Sequence, residues 1–473
     1  MKSILCVAVV LAASSAAARV PAEAGPSEPE MQAGVAVADI TPPVGWRMSG
    51  YFYERLSTGV HDPLQAKAIV LRQGSRRAAL VFCDLIGVPL ELSRQARLRA
   101  EQQTGVPAPN ILIAATHSHT GPLYFGALRQ RFHDQAVAKE GRDPQETVDY
   151  SARLVESIAG VIGDAQAACR PVKLQVGVAQ QLGLSFNRRF HMKDGSVRFN
   201  PGKLNPDIVR PAGPIDPDVG ILLFCDQADN RPTASLTVFA MHLDTVGGTL
   251  FSADYPYYLE QLLRGKLGEG FVSLFGLGTC GDINHIDVSH GRPQNGQQEA
   301  KRIGEALAAT VAPKLAGLKE VKHPSLLVRH EIVHVPLQQF SREEIAWARE
   351  ALGNVGNPNL PFLEQVKAYK IVACQMRGGA KLPLPVQVIR FSPQVALVAL
   401  PGEVFVELGL AIKRASPFET TLVVELAHDA PGYVPTRKAF AEGSYETVNS
   451  RIQPGGGELL VETAVRLLKE IRM

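Results

Sequence analysis

Short apolar, β-branched runs recur along the chain at 66 to 72, 78 to 83, 110 to 115, 172 to 178, 219 to 225, 234 to 240, 271 to 275, 325 to 336, 385 to 391 and 394 to 400, and each predicts a strand. Apolar residues three or four apart predict helices at 90 to 104, 146 to 167, 255 to 267, 294 to 315, 341 to 352, 402 to 415 and 457 to 471. The two kinds of element alternate irregularly and no βα unit repeats. The expected fold class is therefore mixed α/β, with partly parallel β-sheets, flanking helices and long loops. The polar, Pro- and Gly-containing stretches 126 to 145 and 189 to 216 are expected to be long loops beside a site.

The amino terminus falls outside this pattern. Lys2, the apolar run from Ile4 to Ala13 and the small residues Ala16, Ala17 and Ala18 read as a secretory signal peptide over 1 to 18. Residues 19 to 33, rich in Ala, Pro and Glu, are expected as a leader, with one domain over 34 to 473. Spanning a bilayer takes roughly 20 apolar residues, and neither the signal nor any later stretch reaches that length. An exported protein, periplasmic or secreted and without a transmembrane segment, is expected. Once Cys6 leaves with the signal, Cys83, Cys169, Cys225, Cys280 and Cys374 remain, an odd number at irregular spacing that shows no disulfide framework. Cys83 and Cys225 sit in apolar runs and read as small buried hydrophobes.

Composition excludes other classes. A chain of 473 residues with 45% hydrophobic and 20% charged residues is neither disordered nor fibrous. Lys+Arg 49 against Asp+Glu 46, with no basic block, argues against a partner held through nucleic-acid phosphates.

Candidate chemistry gathers where strands end. Thr116-His117-Ser118-His119-Thr120-Gly121-Pro122 follows the run at 110 to 115. In an extended segment the two rings would point to opposite sides, and Gly121-Pro122 supplies a turn that can bring them together. One ring can then bind a metal while the other moves protons, or both can be hydrogen-bonded loop residues. His242 ends the run Phe239-Ala240-Met241, the place where α/β sheets present ligands. Glu403, after Leu400-Pro401-Gly402, follows a strand and opens an expected helix, a placement the helix dipole explains without any metal. Tyr433 and Tyr445 stand in Gly-rich surroundings, where each alone would be ordinary.

In order along the chain, these pieces resemble the catalytic domain of neutral (non-lysosomal) ceramidases. The segment Gly34 to Pro43 resembles that family's opening strand, and Gly59-Val60-His61-Asp62 and Cys83-Asp84-Leu85 fall where similar segments occur. Residues 116 to 122 are similar to its Thr-His-Thr-His-Ser-Gly-Pro signature. Asn187-Arg188, Phe239 to His242, Cys280 to Asn284, Leu400 to Glu403 and the Tyr433 to Tyr445 pair continue the likeness over roughly 34 to 450. The resemblance implies one zinc ion (Zn2+) per chain, held by His117, His242, Glu403 and Tyr433. It also implies that His119, Arg188 and Tyr445 face the scissile amide of ceramide or a related N-acyl lipid presented at a membrane surface. The expected activity is that of an N-acylsphingosine amidohydrolase, which releases a sphingosine-like base and a fatty acid.

Two departures stand beside the likeness. The family carries a further β-rich domain after the catalytic one, and this chain, ending at Met473, is expected to lack it. The Gly281-Asp282 turn is followed by His285-Ile286-Asp287 rather than a Pro-Asn pair. His285 and Asp287 read as loop hydrogen-bonding residues, and Asp84, Asp254 and Asp282 as turn or supporting acids. Rival readings are a zinc hydrolase of another amide or ester, a two-metal phosphatase, and a non-catalytic exported zinc-binding protein. A cleft lined by Leu123, Tyr124 and Phe125 would favour a lipid.

Overall fold

The computed structural model describes residues 29–355, 357 and 359–472. The expected signal peptide and most of the leader lie outside the described residues. Eight strands form the main sheet: β1 (Met31–Asp39), β2 (Gln65–Gln73), β3 (Arg76–Cys83), β4 (Ile111–Ala115), β5 (Arg170–Gln180), β6 (Asp218–Asp226), β7 (Pro232–Phe239) and β8 (Val272–Leu277). Their spatial order is β8-β7-β6-β5-β1-β2-β3-β4, with Lys319–Glu320 as a short addition to β5. The centre is antiparallel, and the outer pairs β3/β4 and β7/β8 are parallel. A second sheet, β9 (Leu327–Pro336), β10 (Lys381–Arg390), β11 (Val395–Ala399) and β12 (Thr420–Val424), runs in that order with β11/β12 parallel. The partly parallel expectation holds.

Side chains on a strand alternate between its faces, and here both faces of the main sheet are dry. Ala79, Val81 and Cys83 of β3 enter one core with the helices α1 (Leu90–Thr104), α2 (Tyr150–Ala167), α3 (Tyr255–Leu267) and α4 (Gln297–Leu315). Ala78, Leu80 and Phe82 enter another, against Ile389, Leu397 and Leu422 of the second sheet. The outer face of the second sheet, with Val386, Val388 and Val398, packs on helix Val406–Ala415 and on the terminal helix Gly456–Arg472. The result is four layers, helix on sheet on sheet on helix.

Helix boundaries follow local chemistry. Pro89 precedes α1 and Gly105, at φ +68°, ends it, because that left-handed conformation costs glycine nothing. Asp254 accepts the amide of Tyr255 at the start of α3, with Pro256 in the first turn. Ser341 and Glu344 form a capping box at the helix Arg342–Gly353 (α5).

Some expectations need correction. Strand β1 begins at Met31, so residues 31 to 33 belong to the domain rather than to a leader. Residues 126–140 are a helix, not a loop. A helix over Phe362–Arg377 (α6) has no counterpart among the expected elements. Residues 189–192, 197–199 and 208–211 form a small three-stranded sheet within the expected loop. The helix expected from 402 begins at Val406, and Glu403–Val404 is instead a short strand. Cys83, Cys169, Cys225, Cys280 and Cys374 are all free thiols, and Cys83 and Cys225 are buried as expected.

Candidate metal centre and adjoining cleft

At the end of β4 the chain is caught by three backbone hydrogen bonds. Thr116 N donates to the Cys83 carbonyl, His117 N to Leu85 and His119 N to Leu243. His117 itself adopts φ +74°, a left-handed conformation that costs a side-chain-bearing residue roughly 1–2 kcal/mol. The turn that gathers the two rings is thus made at His117, upstream of Gly121-Pro122. The His117 ring centroid lies 4.9 Å from that of His119 and 4.6 Å from that of His242.

Tautomers follow from the partners. A carbonyl oxygen only accepts, so His117 Nδ1, 2.7 Å from the Ile86 oxygen, carries the proton, as does His242 Nδ1, 2.9 Å from the Cys280 oxygen. Both Nε2 atoms then present lone pairs, and both face Glu403 Oε2, at 3.5 and 3.4 Å. Burial lowers the His242 imidazole pKa, which favours the neutral ring. His242 Nε2 and Glu403 Oε2 have no hydrogen-bond partner although both are buried. His242 Nε2 and Glu403 Oε2 are thus two acceptors facing each other with no donor between them, a repulsive arrangement that a cation removes, whereas His117 Nε2 has a ring nitrogen of His119 within hydrogen-bond distance. Two neutral imidazoles and a carboxylate also form a common donor set for catalytic zinc. His119 Nε2 lies 3.3 Å from His117 Nε2, and one nitrogen from each of the three rings falls within a 4.8 Å span. Proximity alone therefore does not separate His119 from the ligands.

Glu403 is brought to Tyr433 by register. The strand Glu403–Val404 pairs in parallel with Tyr433–Val434, Glu403 opposite Tyr433. Gly402, at φ +80°, precedes it, and a Cβ there would stand 2.7 Å from the Gly432 oxygen, so only glycine lets the two turns approach. Arg188 sits behind this pair. It donates from Nη2 to the Tyr433 hydroxyl at 3.0 Å and to the Gly281 carbonyl at 2.8 Å, and from Nε to Glu446 at 2.9 Å. Glu446, fully buried, also accepts from Arg189 at 3.0 Å. Tyr445 lies with its ring 5.5 Å from that of Tyr433 and 4.7 Å from that of Phe199.

These groups open on a cleft of about 720 Å³, inside the range of roughly 300–1,000 Å³ usual for small-molecule sites. His117, His119, Glu403, Tyr433 and Tyr445 line one part of it, whereas Arg188 does not reach its surface. Phe52, Leu123, Phe125, Leu128 and Met376 make much of its wall apolar, and Glu91, Arg377, Lys381 and Arg451 also border it. Tyr124 is not among them: its ring is buried and its hydroxyl donates to the Gly87 carbonyl.

Other candidates have structural roles. Asp84 accepts from Gln65 N and Thr116, Asp254 from the amides of Thr245, Val246 and Tyr255, and Asp282 from Asn187 and Val406 N. Burial pushes all three carboxyls up to about 6. His285 bridges Asp244 and the Gln294 carbonyl, and Asp287 accepts from Ser289 N. A second acid-histidine group, His133, Asp143 and Glu146, is already neutralised: Arg47 bonds Asp143 at 2.6 Å and Arg129 bonds Glu146 at 2.7 Å. Sequence reasoning missed Glu446 and Asp244. The run of polar residues around Glu446 gives no sign of its partners, but Asp244, two residues after His242, follows a strand end and carried that signal.

Residues 31–285 match the sequence profile of a family described as neutral/alkaline non-lysosomal ceramidase, N-terminal. A neutral ceramidase of Pseudomonas aeruginosa is 25% identical across an alignment of 517 residues, which covers 93% of this chain and 72% of that protein. A crystal structure of neutral ceramidase from that organism superposes with a TM-score of 0.70 at 21% identity, over 94% of this chain and 75% of the other. A structure described as ceramidase complexed with C2 gives a TM-score of 0.67, also at 21% identity, over 94% and 76%.

Proposed function

Because the chain belongs to the neutral/alkaline non-lysosomal ceramidase family, we propose that it is a zinc-dependent amidohydrolase that cleaves ceramide or a related N-acyl lipid. The observation that carries this reading is the convergence of two imidazole lone pairs on the Glu403 carboxylate, beside a mostly apolar cleft. His117, His242, Glu403 and Tyr433 would hold the metal. When bound, zinc supplies Lewis acidity, which makes water more acidic and the amide carbonyl more electrophilic.

The chain's own residues do the rest. His119, lining the cleft, takes the proton from the attacking water and passes it to the leaving amine nitrogen. Tyr445 donates to the developing oxyanion, a contact worth roughly 3 kcal/mol where it is made only in the transition state. Arg188 acts from behind, since its Nη2 fixes the Tyr433 hydroxyl and its charge adds to the field at the carbonyl. Phe52, Leu123, Phe125, Leu128 and Met376 exclude water and accept the hydrocarbon, which favours a lipid over a small polar amide.

Among the described residues no helix is long and apolar enough to cross a membrane, so the substrate would be taken from a membrane surface or from micelles. The signal-like pattern over 1 to 18 supports export. An amino terminus near Arg19 on the mature protein is the expected measurement, and an intact Met1 would refute it. The activity itself is tested by assaying amine release from a panel of N-acyl lipids with and without a chelator. Chelator-sensitive release is expected, and no release from any member of the panel would refute the amidohydrolase reading.

A further inference from the structure

His119 is the proposed acid-base group, yet among the described residues the one hydrogen-bond contact of its ring is Nε2 to His117 Nε2, at 3.3 Å. A group that takes a proton from water and hands it to a leaving amine has to keep its ring in one orientation, which a third group, often a carboxylate, normally secures. Among the described residues no carboxylate bonds this ring. Asp244, on the loop after His242, is engaged by His285 Nδ1 at 3.0 Å.

The support comes from another part of the chain. Residues 47 to 56 fold back on themselves: Arg47 bridges Leu56, and Met48 N donates to the Arg55 carbonyl at 2.8 Å. Ser49 N donates to the Gly121 carbonyl at 2.9 Å, which lays this hairpin along the His119 loop. Gly50 lies so close to His119 that a Cβ on it would stand 2.6 Å from the His119 oxygen.

Arg55 is 7% exposed, and its hydrogen bonds all go to main-chain carbonyls. Nη2 donates to His119 at 2.7 Å and to Ser49, and Nη1 donates to Gly248 at 2.7 Å. One guanidinium thus joins the hairpin, the loop after β4 and the loop after β7, a task suited to a rigid plane of donors. Its Cζ stands 4.3 Å from the centroid of the Tyr51 ring, well within the roughly 6 Å of a cation–π contact. The Tyr51 ring in turn meets the His119 imidazole edge-on, at 6.2 Å and 87°. Tyr51 lines the cleft beside His119.

We propose, resting on the amidohydrolase reading, that Arg55 and Tyr51 are positioning residues for His119. Arg55 fixes the His119 carbonyl and with it the backbone that carries the ring. Tyr51, held by the guanidinium, restricts rotation of the imidazole out of line with the cleft. Both act through His119 rather than on the reacting atoms.

The test is a double-mutant cycle on metal-replete, full-length mature protein, read as steady-state amine release from an N-acyl lipid together with metal content. Arg55→Met should lower kcat by about 10- to 100-fold, the order expected when a reacting group is misplaced by about an ångström. KM and metal content should stay close to wild type, and Arg55→Lys should recover part of the loss. In a His119→Ala background Arg55→Met should cost no further kcat, because the group it positions is already gone. A merely structural role would instead cost the same in both backgrounds. Tyr51→Leu runs through the same cycle with the same expectation, and decides the matter should Arg55→Met fail to fold. Equal losses in the two backgrounds, loss of metal, or full activity of the variants in an enzyme that depends on His119 would overturn the proposal and leave the amidohydrolase reading standing. Wild type that released no amine would refute both.

Discussion

Replacing His117 and His119 one at a time separates two functions that the geometry holds within 3.3 Å of each other. The backbone of the loop survives either change: His119 N still donates to Leu243, His119 O still accepts from Arg55, and His117 N still donates to Leu85. Loss is therefore confined to the ring. In His117→Ala the Nε2 lone pair facing Glu403 disappears and the Ile86 carbonyl loses its donor. Metal content and turnover should fall together. In His119→Ala the pair His242 and Glu403 stays with His117 and Tyr433, so metal should remain near one ion per chain. Turnover should drop by about 10²- to 10⁴-fold, the usual contribution of a positioned acid-base group, which at about 1.36 kcal/mol per decade is roughly 3–5 kcal/mol of barrier. The KM for the N-acyl substrate should change far less than kcat. The assay pairs plasma-emission metal analysis of dialysed protein with steady-state amine release. If His119→Ala emptied the site while His117→Ala kept its metal, the two roles would be exchanged. Full turnover in both variants would end the mechanism.

Three further outcomes follow from buried charge and from the cleft wall. Glu446→Ala leaves the buried Arg188 without a carboxylate and Arg189 with Glu442 alone, at 3.2 Å, and should destabilise the fold by about 3–5 kcal/mol, read as a lowered midpoint in urea. An unchanged midpoint would show that the pair carries no weight. Burial pulls the Lys370 ammonium down to about 8, from an ordinary value of 10.5. The unfolded chain therefore binds the extra proton between pH 8 and 10.5, and stability from this group rises with pH across that window. Lys370→Met should be more stable than wild type at pH 7 by about 1–3 kcal/mol, on the usual 1.36 kcal/mol per unit less the lost bond to Gln338. Chemical melts at pH 7 and 10 should show the gap closing at the higher pH. Met376→Trp fills part of the cleft and should shift preference toward shorter acyl chains in competition assays, whereas an unchanged preference would place the chain elsewhere.

Most strands were legible because each is apolar along most of its length, as when β3 and β4 send alternate residues into two separate cores, whereas β12 was missed and β1 was expected only through the family resemblance. The helices missed share one cause: they serve the cleft more than a core. Helix Gly126–Glu140 buries only Ala127, Leu128 and Phe132. In α6 the buried set includes Gln365 and Lys370, so the apolar stripe that would betray an amphipathic helix is broken by polar residues. At the site, His117, His242 and Glu403 were visible as polar residues at strand ends. The helix-dipole explanation of Glu403 was wrong because the residue is held in a parallel bridge to Tyr433, a pairing that no local pattern encodes. Glu446 was invisible for the same reason, since its two arginines lie 258 and 257 positions away along the chain.

The parallel pairing of Glu403 with Tyr433 also orders the events of biogenesis. Both histidines follow strands of the main sheet, and the carboxylate and the phenol follow strands of the second. During synthesis a chain stopped before residue 403 would hold two imidazoles and no charged donor, and its second sheet would lack β12. Loop closure over such separations comes late, because its entropy must be overcome before the contacts formed can compensate. The centre would thus mature only when the two sheets have docked, and metal uptake would report the completion of folding. A proposed ligand set scattered in this way would keep the partly made chain chemically silent until the last layer is in place.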